Sequence, residues 1–362
     1  MLPRVLISAL LLLLTYVSAS AQDNTVSTEE SSVSTRYSLA VIDDATFYSG
    51  APPHTPKILN QVLLEPTFGI RYKDRLTFAT SLIGLSSTYD HTASTFRVKE
   101  TYTALSAGDF DITAGRKMLR WGTGYAFTAA GVLDPPRVPT NPSDRLNTNQ
   151  GRDMIKADWV HGPHALTVAW STAALAPAHS TLRDTAAFRY NVLVRGFDTS
   201  LIAGNDRGGD SFGALTFTRV VGQAWEVHGE AVWREQAAAL IGAKCTLHSG
   251  VTFIGEFYTP PNTAYFRDMS VSPSAGRQHY GLINAGKSRL RELPGWKEWD
   301  ASGSIVANLD DHSFVGVADI SRWFGTHFTS YVHLEIPHGS STSDFGSARY
   351  QTATSVGVRF HL

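Results

Sequence analysis

The sequence predicts an all-β protein, a transmembrane antiparallel β-barrel of about 16–18 strands with both termini in the periplasm. Three observations support this fold class. The C-terminal segment alternates apolar and polar residues up to the last residue. Many earlier segments alternate in the same way and carry charged residues on one face. Beyond the first residues of the chain, no apolar run reaches the ~18 residues that a membrane-spanning helix needs.

The last predicted strand, residues 349–362, has one apolar face and one polar face. Val356, Val358 and Phe360 share the apolar face, while Arg359 lies on the polar one. A strand between lipid and water needs this pattern, although an edge strand of a secreted β-sandwich could also show it. The segment resembles the closing strand of bacterial outer-membrane barrels, whose last residue is usually Phe and is here Leu362.

The start of the chain has the features of an export signal. A positive residue precedes a short apolar run, and a small-x-small cleavage site ends at Ala21, so residues 1–21 are predicted to be a signal peptide. Residues 22–35 are polar and are predicted to be disordered. Residues 36–362 show no repeat of fixed period and no composition break, and we expect them to form a single barrel domain.

The strands themselves are predicted from alternation with a period of two. The segments are 36–44, 62–73, 75–86, 95–105, 110–119, 153–161, 164–173, 188–196, 198–204, 211–221, 223–234, 237–248, 250–259, 278–290, 298–309, 312–322, 326–336 and 349–362. Their polar faces carry many charges, as in 223–234, where Glu226 and Glu230 alternate with apolar residues. A packed sandwich core would not accept these charges, whereas a hydrated lumen does.

The connections between these segments agree with a barrel. If both termini lie in the periplasm, every second connection should be short. Tight turns such as Lys73-Asp74 and Val221-Gly222 alternate with long connections such as 120–152 and 260–277. The alternation depends on the weak strand at 278–290, so that a barrel of 16 strands remains an alternative.

The composition and motifs exclude several classes of protein. A formal net charge of −1 argues against a nucleic-acid-binding surface, and the single cysteine, Cys245, argues against a disulfide framework. The sequence has no Gly-x-Ser-x-Gly, no His-Glu-x-x-His and no phosphate-binding loop. We therefore predict no catalytic, cofactor-binding or metal-binding residues, no cofactor and no enzymatic activity.

The most distinctive motif runs from Gly115-Arg116 to Trp121-Gly122-Thr123-Gly124 and opens the connection 120–152. This Gly-Arg…Trp-Gly block resembles one found in outer-membrane barrels of the alginate-export and capsule-assembly families. The resemblance implies a barrel with an ordered loop and does not identify a substrate. The proline-rich sequence that follows is stiff enough to fold inward and narrow a channel, or it could remain a solvated surface loop.

Ten residues are predicted to line the pore. The basic members are expected to form a cationic patch at one mouth, opposite an acidic wall, and to favour anions. The predicted pore-lining residues are Arg97, Lys99, Arg116, Lys117, Arg120, Glu226, His228, Glu230, Asp300 and Glu335.

The resulting functional prediction is a porin-like channel in the bacterial outer membrane for passive diffusion of small polar or anionic solutes. One alternative is a barrel of the capsule-assembly kind that binds a surface polysaccharide through aromatic loop residues; another is an outer-membrane lipid hydrolase. The expected partners are outer-membrane lipid and lipopolysaccharide, small solutes or glycans, and the barrel-assembly machinery through the C-terminal strand. The sequence leaves the solute and the oligomeric state open.

Overall fold

The computed structural model describes residues 33–51, 57–88, 92–135, 137–140, 146–174, 183–207, 209, 211–234, 236–260, 279–290 and 295–362. Within these residues the secondary structure consists of 18 β-strands. No helix in this part of the chain is long and apolar enough to cross a membrane. The predicted signal peptide, residues 1–21, and the predicted disordered residues up to 32 lie outside the described residues. Residues 33–35 were also predicted to be disordered, but they begin the first strand.

Each predicted strand segment overlaps one observed strand, with bounds that differ by up to five residues. The strands are β1 Val33–Ser49, β2 Ile58–Tyr72, β3 Leu76–Thr88, β4 Thr92–Ala107, β5 Phe110–Lys117, β6 Arg152–His161, β7 His164–Thr172, β8 Thr185–Val194, β9 Phe197–Asp206, β10 Ser211–Val221, β11 Trp225–Trp233, β12 Ala237–Thr246, β13 Thr252–Thr259, β14 Tyr280–Lys287, β15 Trp299–Asn308, β16 Ser313–Phe324, β17 Phe328–His338 and β18 Thr352–His361. The weak segment at 278–290 corresponds to β14, so the count is 18 rather than 16.

The strands form one closed antiparallel sheet. Each strand pairs with its neighbours in sequence, and β1 pairs with both β2 and β18. The seam between β1 and β18 runs from Ala40 opposite His361 to Ser49 opposite Thr352. Leu39 and Leu362 continue it, because each donates a backbone N–H to the carbonyl of the other. Closure leaves no strand with an unpaired edge, as a membrane-spanning sheet requires.

The two ends of the barrel differ in their connections. Most hairpins at the end where β1 starts and β18 finishes are tight; Arg195 and Gly196, for example, have φ values of 52° and 81°, as in a type I′ turn. We call this end the short-turn end. The opposite end, the loop end, carries the long connections 118–151 and 339–351. The predicted alternation of short and long connections is therefore confirmed, and the start of β1 and the end of β18 both lie at the short-turn end.

The two faces of the sheet have opposite chemistry. On β11 the side chains of Trp225 and Trp233 are exposed on the outside, whereas His228 and Glu230 are buried on the inside. On β15, Ile305 is 53% exposed on the outer wall. The predicted period of two is thus confirmed, with an apolar outer wall and an inner wall that carries most of the charged residues together with buried apolar ones.

The closed ladder predicts resistance to unfolding by detergent. Because no strand edge is free to fray, we expect the unheated protein to migrate on a dodecyl sulfate gel as a compact band, faster than the same sample after boiling. Gel mobility before and after heating is the measurement. Identical mobility under both conditions would contradict a closed barrel.

Candidate functional site: the inward loop and the inner wall

The long connection after β5 folds into the barrel. The chain leaves the wall after Lys117, and Gly151, which precedes β6, donates its N–H to the carbonyl of Lys99 on β4 (2.9 Å). The segment 118–135, which we call the inward loop, buries Trp121 and Phe127 completely or nearly so. Inward folding is therefore observed for residues 118–135, whereas residues 136 and 141–145 of the proline-rich sequence lie outside the described residues.

Apolar contacts hold the inward loop against one side of the inner wall. Leu119, Trp121 and Leu133 pack on residues from β6 to β12, among them Met154 and Phe212. Further along, Ala126 and Phe127 pack on residues from β12 to β16, including Tyr258 and Val306. The ring of Phe127 stacks on that of Tyr258 with centroids 5.1 Å apart. The loop thus covers the inner faces of consecutive strands from β6 to β16, and the inner faces of β1–β5 lie outside these apolar contacts.

Glu230 on β11 satisfies the backbone of the loop at two points. Its Oε1 accepts the N–H groups of Thr123 and Gly124, the latter at 2.8 Å. Its Oε2 accepts those of Ala129 and Ala130 at 2.6 and 2.7 Å. A buried carboxylate is costly unless it is hydrogen-bonded, and a loop without secondary structure needs acceptors for its N–H groups. The buried carboxylate of Glu230 and the N–H groups of the loop therefore satisfy each other.

Glu256 on β13 accepts the N–H groups of residues 125–127, which lie between the two pairs of residues bound by Glu230. Its Oε1 accepts the N–H of Tyr125, and its Oε2 accepts those of Ala126 (2.9 Å) and Phe127 (3.2 Å). The fully buried His228 lies 3.0 Å from Oε1 through its Nε2. Because Glu256 offers only acceptors when ionised, His228 donates in this contact.

Asp134 closes the loop on itself. Its carboxylate accepts the N–H groups of Trp121 (2.6 Å) and Gly122 (3.0 Å). Burial raises the pKa of Asp134, although these two donors act in the opposite direction. Glycine is needed at 122, because a Cβ there would lie 2.0 Å from Thr128 Oγ1 and 3.0 Å from Glu230 Oε1. The glycines of the Trp-Gly block therefore permit close approach of the backbone to its acceptors.

The phenol of Tyr125 in the loop contacts polar residues of the inner wall. Tyr125 donates its hydroxyl to Glu226 (2.8 Å), and Lys244 lies over its ring at 5.0 Å. Burial, together with the bond to Glu226, raises the pKa of the Tyr125 phenol, so the hydroxyl remains a donor. Glu226 is therefore an acceptor at the edge of the loop rather than part of a bare acidic wall.

A second connection, 339–351, also folds inward at the loop end. Its Phe345 joins the same apolar cluster as Phe127. Its Asp344 is buried and accepts hydrogen bonds from the side chains of Tyr280 and Asn308. This contact between the two loops was not predicted from the sequence.

On the β1–β5 side, the predicted basic residues have different surroundings. A register shift in the β3–β4 ladder occurs opposite Lys99, which is buried and bonds to both oxygens of Glu65 at 2.9 Å. Arg97 lies on the inner face and is exposed, without a polar partner in the described structure. Lys117 also faces inward, with its Nζ 4.2 Å from the centre of the Tyr102 ring. Arg120 is exposed at the start of the inward loop.

The structure corrects the prediction for Arg116. This residue is paired in register with Asp153, two positions from the pair Ala114–Ile155. Ile155 is exposed on the outer wall, so Arg116 and Asp153 share that outer face, where they form a bidentate ion pair at 3.0 and 2.6 Å. Arg116 and Lys117 are neighbours on a strand and cannot both face the lumen.

The remaining predicted residues are hydrogen-bonded on the inner wall. Asp300 accepts the indole N–H of Trp323 (2.6 Å). Glu335 accepts the hydroxyl of Tyr350 (2.9 Å) and contacts His333 Nε2 at 2.9 Å. The structure therefore does not unite the ten residues into one site: Glu230 and His228 lie under the loop, Arg120 lies in the loop, Arg116 faces outward, and the others are spread over the inner wall.

Sequence reasoning missed the most important contacts. Glu256 and Asp134 were not predicted as site residues, and Glu65 was not recognised as the partner of Lys99. The available signal was weak: an acidic residue at an inward position, and a glycine-rich loop with more backbone donors than its own fold can satisfy. Neither feature shows which carboxylate meets which amide.

No protein-family model and no curated protein matches this sequence. Among solved structures, OpdK of Pseudomonas aeruginosa with vanillate has a TM-score of 0.63 at 8% identity, over 91% of this chain and 98% of that chain. OccK11 (OpdR) of the same organism has a TM-score of 0.61 at 10% identity, over 91% and 96%. OccK7 (OpdD) has 0.59 at 9%, over 92% and 99%. These similarities establish a shared fold, the closed antiparallel β-barrel.

The carboxylate anchors predict a loop that can be loosened by single substitutions. Glu256→Gln replaces one acceptor oxygen by an amide that faces backbone N–H groups, and each charge-assisted bond contributes about 1.5–3 kcal/mol. We expect amide hydrogen exchange of residues 123–130 to accelerate on the order of 100-fold, since ~1.4 kcal/mol is a factor of ten. Glu226→Gln is the matched control, because Glu226 contacts only the Tyr125 hydroxyl in this loop. Equal exchange in both variants would contradict the anchoring role.

Proposed function

We propose that this protein is an outer-membrane channel through which small polar or anionic solutes diffuse passively. The observation that carries the proposal is the position of the inward loop, which is fixed against β6–β16 by Glu230 and Glu256. A loop held on one side narrows a lumen. The opposite side, β1–β5, keeps charged side chains such as Arg97 and Lys117, which suit a hydrated path.

The proposed placement in the membrane follows from the outer wall. Exposed apolar side chains cover it, and aromatic residues such as Tyr37, Trp225, Trp233 and Phe328 lie toward the ends of the strands. This is the distribution that a bilayer selects. Export by the predicted signal peptide would then place the short-turn end and both termini in the periplasm, with β18 as the segment recognised by the barrel-assembly machinery.

The proposed preference for anions follows from which charges remain unpaired. Glu230 and Glu256 are occupied by backbone N–H groups beneath the loop, and Lys99 is neutralised by Glu65. Arg97 and Arg120 are exposed and unpaired within the described structure. The unpaired charges on the β1–β5 side of the narrowed section are therefore positive, which lowers the free energy of an anion there. The neighbour OpdK was solved with vanillate, an organic anion.

A recess on the short-turn side of the narrowed section supports the same proposal. It has a volume of about 450 Å³ and is lined by inner-wall residues of β1–β4, including Arg36, Arg71, Thr77 and Tyr102. Space of this size holds water and small solutes.

The polysaccharide-binding alternative, suggested by the resemblance to the alginate-export and capsule-assembly families, is less well supported. It relied on aromatic residues free to stack on sugars. Phe127 and Tyr280 are buried in the packing beneath the loop, and Tyr125 is tied to Glu226. Tyr265 and Phe266 lie outside the described residues. For the lipid-hydrolase alternative, no catalytic residues were predicted from the sequence, and we propose no enzymatic activity.

Single-channel recording tests the proposed function. We expect the wild-type protein to form ion-conducting channels in planar bilayers, with an anion-to-cation permeability ratio above one that decreases as salt screens the charges. The variant Arg97→Gln/Arg120→Gln should move the ratio several-fold toward cations. Arg219→Gln is the control, because this residue lies over the Phe197 ring on the outer wall.

The absence of any conductance would exclude the channel and make the polysaccharide-binding barrel the better proposal. Conductance with a ratio that the double substitution leaves unchanged would place the ion path away from Arg97 and Arg120.

A second prediction tests the membrane placement. Ile305 and Ser302 lie on the same strand, Ile305 on the outer wall and Ser302 beside a recess on the inner wall. Ile305→Arg should destabilise the barrel by about 2–4 kcal/mol, because a cation then faces hydrocarbon near the bilayer midplane. Ser302→Arg should change stability by less than ~1 kcal/mol, since it faces water. Urea unfolding in phospholipid vesicles measures both, and equal effects would contradict the assigned faces.

A further inference from the structure

We propose that a polar patch on the outer wall of β1–β4 binds a second copy of this chain inside the membrane. The patch consists of Asp43, Asn60, Ser86, Thr88 and Ser94. The inference rests on the proposed membrane placement and goes beyond the channel function.

Asp43 lies at the depth of the hydrocarbon. It occupies an outward position on β1, between Tyr37 and Phe47, which are 61% and 44% exposed on the same face. Ten residues of a strand with a rise of ~3.3 Å, tilted by about 40°, span roughly 25 Å, the height of the apolar band of a barrel. The residues beside Asp43 on the adjacent strands are Val62 and Val358, both exposed.

The carboxylate is incompletely satisfied within one chain. The Asn60 amide, with its nitrogen toward Asp43, donates to Oδ1 at 3.2 Å and to the carbonyl of Asp44 at 2.9 Å. Asp43 forms no ion pair with any described residue and is exposed to the outside. Lipid chains offer no hydrogen-bond donor, and ionisable groups inside a membrane are ordinarily covered by protein or water.

Other charges on the outer wall have partners. Arg116 is paired with Asp153, and Arg219 and Arg322 lie over aromatic rings near the short-turn end. Unlike Arg116, Asp43 has no charged partner among the described residues, and unlike Arg219 and Arg322 it lies away from the short-turn end.

The residues around Asp43 supply hydrogen-bond donors for contact with a second copy. Ser94 donates to Ser86 at 3.4 Å on the exposed face, and Thr88 lies beside Asn60 in the β2–β3 ladder. Hydroxyl and amide donors thus share one patch with a carboxylate acceptor. Phe96, 70% exposed, lies at the edge of the patch.

These features indicate which molecule covers the patch. A water-soluble partner cannot reach a side chain ~10 Å below the membrane surface, so what covers Asp43 must itself be embedded at the same depth. Another copy of the barrel is held at that depth and brings the same donors and acceptor. A patch that carries both is self-complementary, as an isologous contact requires.

Site-directed crosslinking in native outer membranes tests the proposal. Cys245→Ala removes the single cysteine. In that background, Ser86→Cys reports on the patch and Ile241→Cys, on β12 at the far side of the barrel, is the control. With a short bis-maleimide we expect Ser86→Cys to give a product of twice the chain mass, in several-fold higher yield than Ile241→Cys. Equal yields, or a product of another mass, would overturn the assignment.

A second variant isolates the polar contact. Asp43→Val/Asn60→Val makes the patch fit for lipid, so crosslinking through Ser86→Cys should fall several-fold while heat-modifiable migration and conductance are retained. Undiminished crosslinking would refute the role of Asp43. Failure of the channel proposal is distinguishable, because it appears as lost conductance in the protein without these substitutions, whatever the crosslinking result.

Discussion

The arrangement of the lumen depends on buried carboxylates that accept backbone N–H groups. Asp134, Glu230 and Glu256 together take the amides of residues 121–127, 129 and 130. An isolated ionised carboxylate in the protein interior costs several kcal/mol, and an unpaired buried amide costs about 1–3 kcal/mol. Neither the loop nor the acidic residues could be buried alone, so the strands that carry Glu230 and Glu256 determine where the loop lies.

This interaction also sets the charge of the lumen. The acidic side chains along β11 and β13 suggest a negatively charged inner wall. However, Glu230 and Glu256 accept hydrogen bonds from the N–H groups of the loop, which also covers them. On the other side, Lys99 is compensated by Glu65 and Arg116 lies outside. The inward-facing charges without a partner among the described residues, such as Arg97, are therefore those that no part of the fold uses. Local composition cannot reveal this balance, because it is determined by tertiary pairing.

The strands could be predicted from the sequence because the alternation that identifies each strand lies within one short segment. A lipid-facing side chain at every second position is visible in any segment, and even the weak 278–290 segment is a strand. Alternation could also have excluded Arg116 from the lumen, since Lys117 follows it directly. The register shift opposite Lys99 has no such signature, and nothing in the sequence near Glu256 indicates that residues 125–127 will meet it. Long-range contacts between a loop and a distant strand were therefore beyond prediction, although the inward direction of the loop was one of the two alternatives considered.

The outer wall follows the same rule as the interior, that a buried charge needs a partner. Inside the barrel the rule is met by the loop and by side chains such as Glu65. On the outside, Arg116 meets it with Asp153, but Asp43 meets it only in part through Asn60. A protein that gives Glu230 and Glu256 several hydrogen bonds each would not be expected to leave a carboxylate against hydrocarbon. The partial satisfaction of Asp43 is thus most simply explained by a protein surface that the single chain does not contain.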